Sequence, residues 1–150
     1  MIRTHFRAAL AAAALAVAAG GCGGPKLIEV EGTLRQQGKP LDNVRVAFVP
    51  EGGGPRSSGV TDAQGHYRLA TDQQRPGAIV GSSRVVLTDL YVYGTKFVGR
   101  AREELPEGGL VGVKPSRIPP DYTDAARTPL KKDVVAGQKN AIDLEVPPRK

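Results

Sequence analysis

The chain has one cysteine, two histidines and no tryptophan in 150 residues, and each shortage removes a class of function. A lone cysteine, Cys22, closes no internal disulfide. His5 lies in the leader described below, so His66 is the only histidine of the mature chain, and one imidazole is too few for a zinc site. Aromatic residues make up 5% of the sequence, so the core must be built mainly from Val, Leu and Ile, with Phe48 and Tyr67 as its larger pieces. The apolar run Ala8 to Ala19 is only twelve residues long, too short to cross a bilayer of about 30 Å as a helix. Basic residues outnumber acidic ones, 21 to 15, but they are interspersed rather than massed into a stripe. No nucleic-acid partner is expected.

That short apolar run has a recognisable context. Arg3, His5 and Arg7 make a cationic start, the run follows, and Ala19-Gly20-Gly21-Cys22 ends it with small residues before the cysteine. Such a pattern is a signal peptide over residues 1–21. The Gly-Gly-Cys ending resembles the lipobox of bacterial lipoproteins, with Ala19 where Leu is usual. The resemblance implies that Cys22 becomes the mature N-terminus and carries a diacylglyceryl group with palmitate-type chains, and that residues 22–27 are a lipidated tether. Two or three acyl chains hold a domain on a membrane persistently, whereas one holds it marginally. Ordinary cleavage near Ala19 or Gly21, giving a secreted soluble protein, is the alternative. Loss of Arg3 and Arg7 leaves 19 basic against 15 acidic residues, a net charge of +4 that suits an anionic lipid surface.

The remainder has room for one domain. Gly and Pro, 19 and 12 residues, suit an all-β chain punctuated by turns. Ile28, Val30 and Leu34 alternate with polar residues, with Gly32 as a bulge or a point of close approach. Val44, Val46 and Phe48 alternate with Arg45, Ala47 and Val49. Thr61-Asp62-Ala63-Gln64-Gly65 reads as a tight turn, Asp62 bonding its own downstream backbone and Gly65 supplying a positive φ, before Tyr67 and Leu69 alternate with His66 and Arg68.

Residues Thr71 to Gly81 read as a loop between sheets. Ser83, Val85 and Leu87 point inward on a strand continuing to Tyr93, with a bulge or strand end near Thr88, because Asp89 would otherwise face the core. Periodicity fades over residues 94–117, where Arg100 to Leu105 suits a helical turn or two before Pro106. Leu130 to Val135 and Ala141 to Val146 form a closing hairpin around Gly137, with Ile142, Leu144 and Val146 inward. Residues 147–150 are a frayed tail.

Asp62-x-x-Gly65-x-Tyr67 and its alternating strand, preceded by Val30 to Leu34 and Val44 to Pro50 and followed by Ile118-Pro119-Pro120-Asp121-Tyr122 and Ile142-Asp143-Leu144, resemble the carboxypeptidase regulatory-like family. The closing half resembles that of small envelope lipoproteins of planctomycete type. Over residues 28–146 the resemblance implies a seven-stranded Greek-key, transthyretin-like (prealbumin-like) β-sandwich, with 94–117 as a rim insertion. A fold of this kind hosts many unrelated functions.

Candidates for chemistry are few. His66, Asp62 and Ser57 or Ser58 make a sketch of a triad without a nucleophile elbow, and an outward polar residue is the default for His66. Asp121 and Asp124 offer hard oxygens for calcium but lack its glycine-punctuated spacing, so turn capping is the default for them too. Glu51-Gly52-Gly53-Gly54-Pro55 has no following helix start to cradle phosphate. Hydroxyisourate hydrolases share the transthyretin-like fold, but this chain ends Pro-Pro-Arg-Lys and lacks their histidines and their C-terminal tetrapeptide. The expectation is therefore no enzyme, no cofactor and no metal.

Tyr91, Tyr93 and Phe97 gather half of the mature chain's aromatics beside Lys96, Arg100 and Arg102, an amphipathic patch for an envelope protein or a glycan. Packing over an open end of the sandwich is the plain alternative. The sequence points to a membrane-anchored envelope lipoprotein, facing the periplasm or outer surface, that acts as a structural or protein-binding module. A surface glycan-binding module of starch-binding-like type is the second reading, and strand addition at a sheet edge is a further binding mode.

Overall fold

The computed structural model describes residues 25–93, 95–98, 101–104 and 115–150, with Tyr93 and the segments 95–98 and 101–104 described through their backbone only. The leader 1–21 and Cys22 lie outside the described residues. Among the described residues the chain is all-β, with two 3-10 turns and no α-helix. In order come β1 (Leu27–Ile28), β2 (Val30–Gln36), β3 (Lys39–Pro40), β4 (Val44–Pro50), β5 (Ser57–Val60), β6 (His66–Arg68), β7 (Ala70–Thr71), β8 (Ala78–Ile79) and β9 (Gly81–Asp89). A 3-10 turn at Leu90–Tyr93 precedes β10 (Thr95–Val98) and β11 (Ala101–Glu104). A second turn at Pro120–Thr123 leads to β12 (Lys131–Val134), β13 (Asn140–Ala141) and β14 (Leu144–Val146).

One five-stranded antiparallel sheet has the order β12-β9-β4-β5-β7. In the other, β2 takes β13 and β14 in parallel and β3 and β6 antiparallel. The period-two patterns set the register, because a one-residue slip would turn every apolar side chain to water. Val46 pairs with Leu87 and Phe48 with Val85. These join Val30, Leu34, Tyr67, Leu144 and Val146 of the second sheet in one buried cluster. Each such side chain contributes about 1.5–3 kcal/mol on burial.

The position of Gly32 explains its composition. It pairs with Tyr67 on β6, and an added Cβ would overlap the carbonyl of Ile142. The parallel ladder is interrupted there. Ile142 O turns inward and accepts the Tyr67 hydroxyl at 2.6 Å, while Asp143 Oδ1 stands in for the ladder and accepts Thr33 N at 2.8 Å and Thr33 Oγ1 at 2.7 Å. Close approach, rather than a bulge, is what the glycine provides.

Several local expectations are corrected. The turn from Asp62 to Gly65, which the family resemblance makes the centre of a hairpin, instead carries the chain from one sheet to the other, because β5 pairs with β4 and β6 with β2. The strand does not continue to Tyr93 but ends at Asp89, the strand end expected near Thr88, and both Asp89 and Leu90 are buried. Strand β11 pairs with β10 where helical turns were expected. The loop expected over Thr71 to Gly81 contains Thr71 at the end of β7 and all of β8, which pairs with β1. No hairpin closes around Gly137, since β12 joins β9 whereas β13 and β14 join β2.

The strands give the domain two distinct ends. Val44 is opposite Asp89 and Pro50 opposite Ser83, so the 43–44 end of β4 lies with the residues that lead to β10, and its far end lies with β8. Strand β2 starts near β1 and finishes beside the first of these ends, where Gln36 Nε2 donates to Arg117 O at 3.0 Å.

Candidate functional site

Asp89 continues the inward phase of β9 and is 3% exposed. A buried carboxylate costs several kcal/mol unless it is paired, and here the partner comes from 28 positions further along the chain. Arg117 donates from Nη2 to Asp89 Oδ1 at 2.8 Å, and from Nε and its backbone N to Asp89 Oδ2 at 2.9 and 2.8 Å. The same guanidinium reaches Asp42 Oδ1 at 3.1 Å and the Asp42 carbonyl at 2.7 Å. Tyr91 completes the cluster. Its hydroxyl donates to Asp42 Oδ2 at 2.8 Å, and the guanidinium carbon of Arg117 sits 4.7 Å from its ring centroid.

The electrostatics follow from that geometry. Burial alone pushes the Asp89 carboxyl up, but the side-chain and backbone donors of Arg117 outweigh it and hold the group below the usual carboxylate range. Burial, then the Asp42 hydrogen bond, raises the Tyr91 hydroxyl. Burial lowers Arg117, yet its bonds and charge attraction to Asp89 and Asp42 more than reverse this. Two carboxylates and one guanidinium leave the cluster with one net negative charge, and every group has a partner. Chemically it is a clamp. Asp89 and Tyr91 precede the segment 94–116 and Arg117 follows it, so the clamp ties together the residues on either side of that segment.

The other expected positions separate. Asp62 Oδ1 accepts Gln64 N and His66 N, each at 2.9 Å, and Gly65 adopts φ 77°, as the turn chemistry requires. His66 Nδ1 lies 3.7 Å from Asp62 Oδ2, with both side chains more than half exposed. Ser57 and Ser58 are on β5 in the other sheet and pair across to Thr71 and Ala70, so the triad sketch lacks a common site. Asp124 caps its turn by accepting Ala126 N at 2.8 Å, and Arg127 lies 3.4 Å from Asp124 and 3.8 Å from Asp121. Glu51 holds Lys131 at 2.9 Å and Arg84 at 3.0 Å instead of opening a phosphate loop.

Of the aromatic patch, Tyr91 is half-buried and committed to the clamp. Phe97 lies on β10 and Tyr93 at the end of the 3-10 turn, and their side chains fall outside what is described. Asp89 and Arg117 were the functional pair that sequence reasoning missed. Its signal was present: an aspartate in the inward phase of an alternating strand calls for a buried cation. A groove of about 720 Å³ lies elsewhere, lined by Arg45, Arg68 and Lys139 against Glu29, Glu31 and Asp72, so its lining carries no net formal charge. No protein-family model, curated protein or solved structure gives a match to this chain.

Proposed function

We propose that this protein is a bacterial envelope lipoprotein in which a transthyretin-like Greek-key sandwich, anchored through Cys22, presents the rim insertion to a protein partner without catalysing a reaction. The observation that carries the reading is positional. The single cysteine follows the apolar run after two glycines, and β1 begins five residues later at Leu27. A seven-stranded reading is supported by the strands longer than two residues in the two large sheets, β12-β9-β4-β5 and β6-β2-β14. The chain crosses between those sheets after β2, β5, β6 and β12.

A binding role is favoured because the ionisable groups that burial or hydrogen bonding shifts are occupied in holding the fold together: Asp89 by Arg117, Tyr67 by Ile142 O, and Asp143 by Thr33. Strand addition is disfavoured at β12, whose Lys131, Lys132 and Asp133 make a charged edge. The glycan alternative needs exposed aromatic faces, and Arg117 already stacks on Tyr91.

Intact mass of the mature N-terminus from the native host, with fractionation and a photo-crosslinking residue at Phe97, tests the proposal. An acylated Cys22 in membrane fractions and a discrete crosslinked protein are expected, and Cys22→Ser should release the protein from the membrane. An unmodified, soluble mature chain would overturn the anchor. An acylated protein that gives no crosslinked protein would overturn the presenting role of the insertion.

A further inference from the structure

The end of the domain where the tether enters has a surface unlike the rest. Val135 is the one large hydrophobic residue classed as exposed among the described residues, at 50%. Its exposure is built in. Asn140, itself 6% exposed, accepts Val135 N at 2.9 Å and donates to Val135 O at 2.9 Å and to Gln138 O at 3.0 Å, fixing the turn after β12. Val134 pairs with Gly81, so this turn lies at the β8 end of the first sheet.

Leu27 and Ile79, paired across the β1–β8 ribbon, are half-buried at the same end. Lys26 and Arg75 are exposed there and have no ion-pair partner among the described residues, while Arg56 is paired with Asp72 at 3.5 Å. This end thus carries an exposed valine and these two cations, beside Glu29 and Asp133, which are likewise unpaired among the described residues, and the valine and cations suit the boundary between headgroups and acyl chains of an anionic bilayer.

Chain length selects the same end. Cys22 and Leu27 are five residues apart, which spans at most about 18 Å even when fully extended. The feet of the insertion, at Tyr91 and Arg117, lie at the other end of the strands. The seven residues of β4 separate the two ends by about 20 Å.

The geometry points to an upright orientation in which the end formed by β1, β8 and the turn at Val135 rests on anionic lipid headgroups and the insertion projects away from the membrane. This inference rests on acylation of Cys22. It turns the anchor from a loose leash into a fixed stand, because a second contact removes the freedom of a domain on a flexible tether.

The test uses the full acylated protein in vesicles of phosphatidylcholine and phosphatidylglycerol. Nitroxides are placed at Val135→Cys and, at the far end, at the exposed turn residue Ala63→Cys, with a paramagnetic relaxing agent on the lipid headgroups. Flotation is measured first. In floated protein, the Val135 probe should be relaxed several-fold more strongly than the Ala63 probe, and Lys26→Glu with Arg75→Glu should reduce that ratio while flotation persists. Equal relaxation at both sites in floated protein would overturn the orientation and leave the anchor standing. Protein that does not float would overturn the anchor and the orientation together.

Discussion

Truncating Arg117 to alanine tests whether the rim cluster is a clamp. In the intact protein the Asp89 side chain is 1% exposed and that of Arg117 30%, so the substitution strands a carboxylate that water can scarcely reach. Removing one partner of a buried ion pair costs about 3–5 kcal/mol. For a domain of this size that corresponds to a fall in melting temperature of about 10–20 °C. Urea denaturation followed by far-UV circular dichroism is the suitable assay, because the chain has no tryptophan to report by fluorescence.

Replacing the pair together, Asp89→Leu with Arg117→Met, removes the stranded charge and should lie within about 1–2 kcal/mol of the wild type. A cost below about 1 kcal/mol for Arg117→Ala, or a double variant as damaged as the single one, would refute the clamp.

The pH dependence supplies a second check on the same pair. In the wild type the folded Asp89 pKa lies below its unfolded value, so its contribution is present above about pH 4 and is lost as pH falls through the folded pKa. Without Arg117, burial dominates and the folded pKa rises above the unfolded one. The sign then inverts. The penalty is full at neutral pH and shrinks as acid protonates Asp89, so the gap between variant and wild type should narrow from pH 7 towards pH 4.

The strands that were legible in the sequence are those with one face on the core. Val44, Val46 and Phe48, and Val85 and Leu87, announce their register because the period of two has one buried solution. The turn from Asp62 to Gly65 was legible for a local reason, a side-chain acceptor and a positive φ within four residues. Which sheet each strand joins is not a local property. Gly137 looked like a hairpin turn because nothing between Val134 and Asn140 records that the first strand belongs to β9 and the second to β2. Parallel pairing of β2 with β14 joins residues more than a hundred positions apart, and no nearby pattern encodes such a contact.

The clamp was legible by half. The inward phase of Asp89 was visible, but a buried acid was read as a reason for the strand to stop, when its partner in fact lay 28 positions further on at Arg117. Tyr91 was counted as a free aromatic for the related reason that its hydroxyl acceptor, Asp42, precedes it by 49 positions.

The close approach at Gly32 supports two further predictions. Tyr67→Phe leaves Ile142 O without its hydroxyl donor in a buried setting and should cost about 1–2 kcal/mol, measured in the same urea assay; a neutral result would mean that water replaces the donor. Gly32→Ala should be worse, above about 4 kcal/mol or unable to fold, because the new methyl meets the backbone carbonyl of Ile142 rather than a side chain that could swing away. Relief would require the β13–β14 segment to move off β2, breaking the Ile142 N to Glu31 O bond of 2.8 Å and both Thr33 bonds to Asp143. Gly52→Ala, with nothing within 4 Å of its added Cβ, is the control and should stay within about 0.5 kcal/mol of the wild type. A well-folded Gly32→Ala variant, with an amide spectrum like that of the wild type, would refute the close approach.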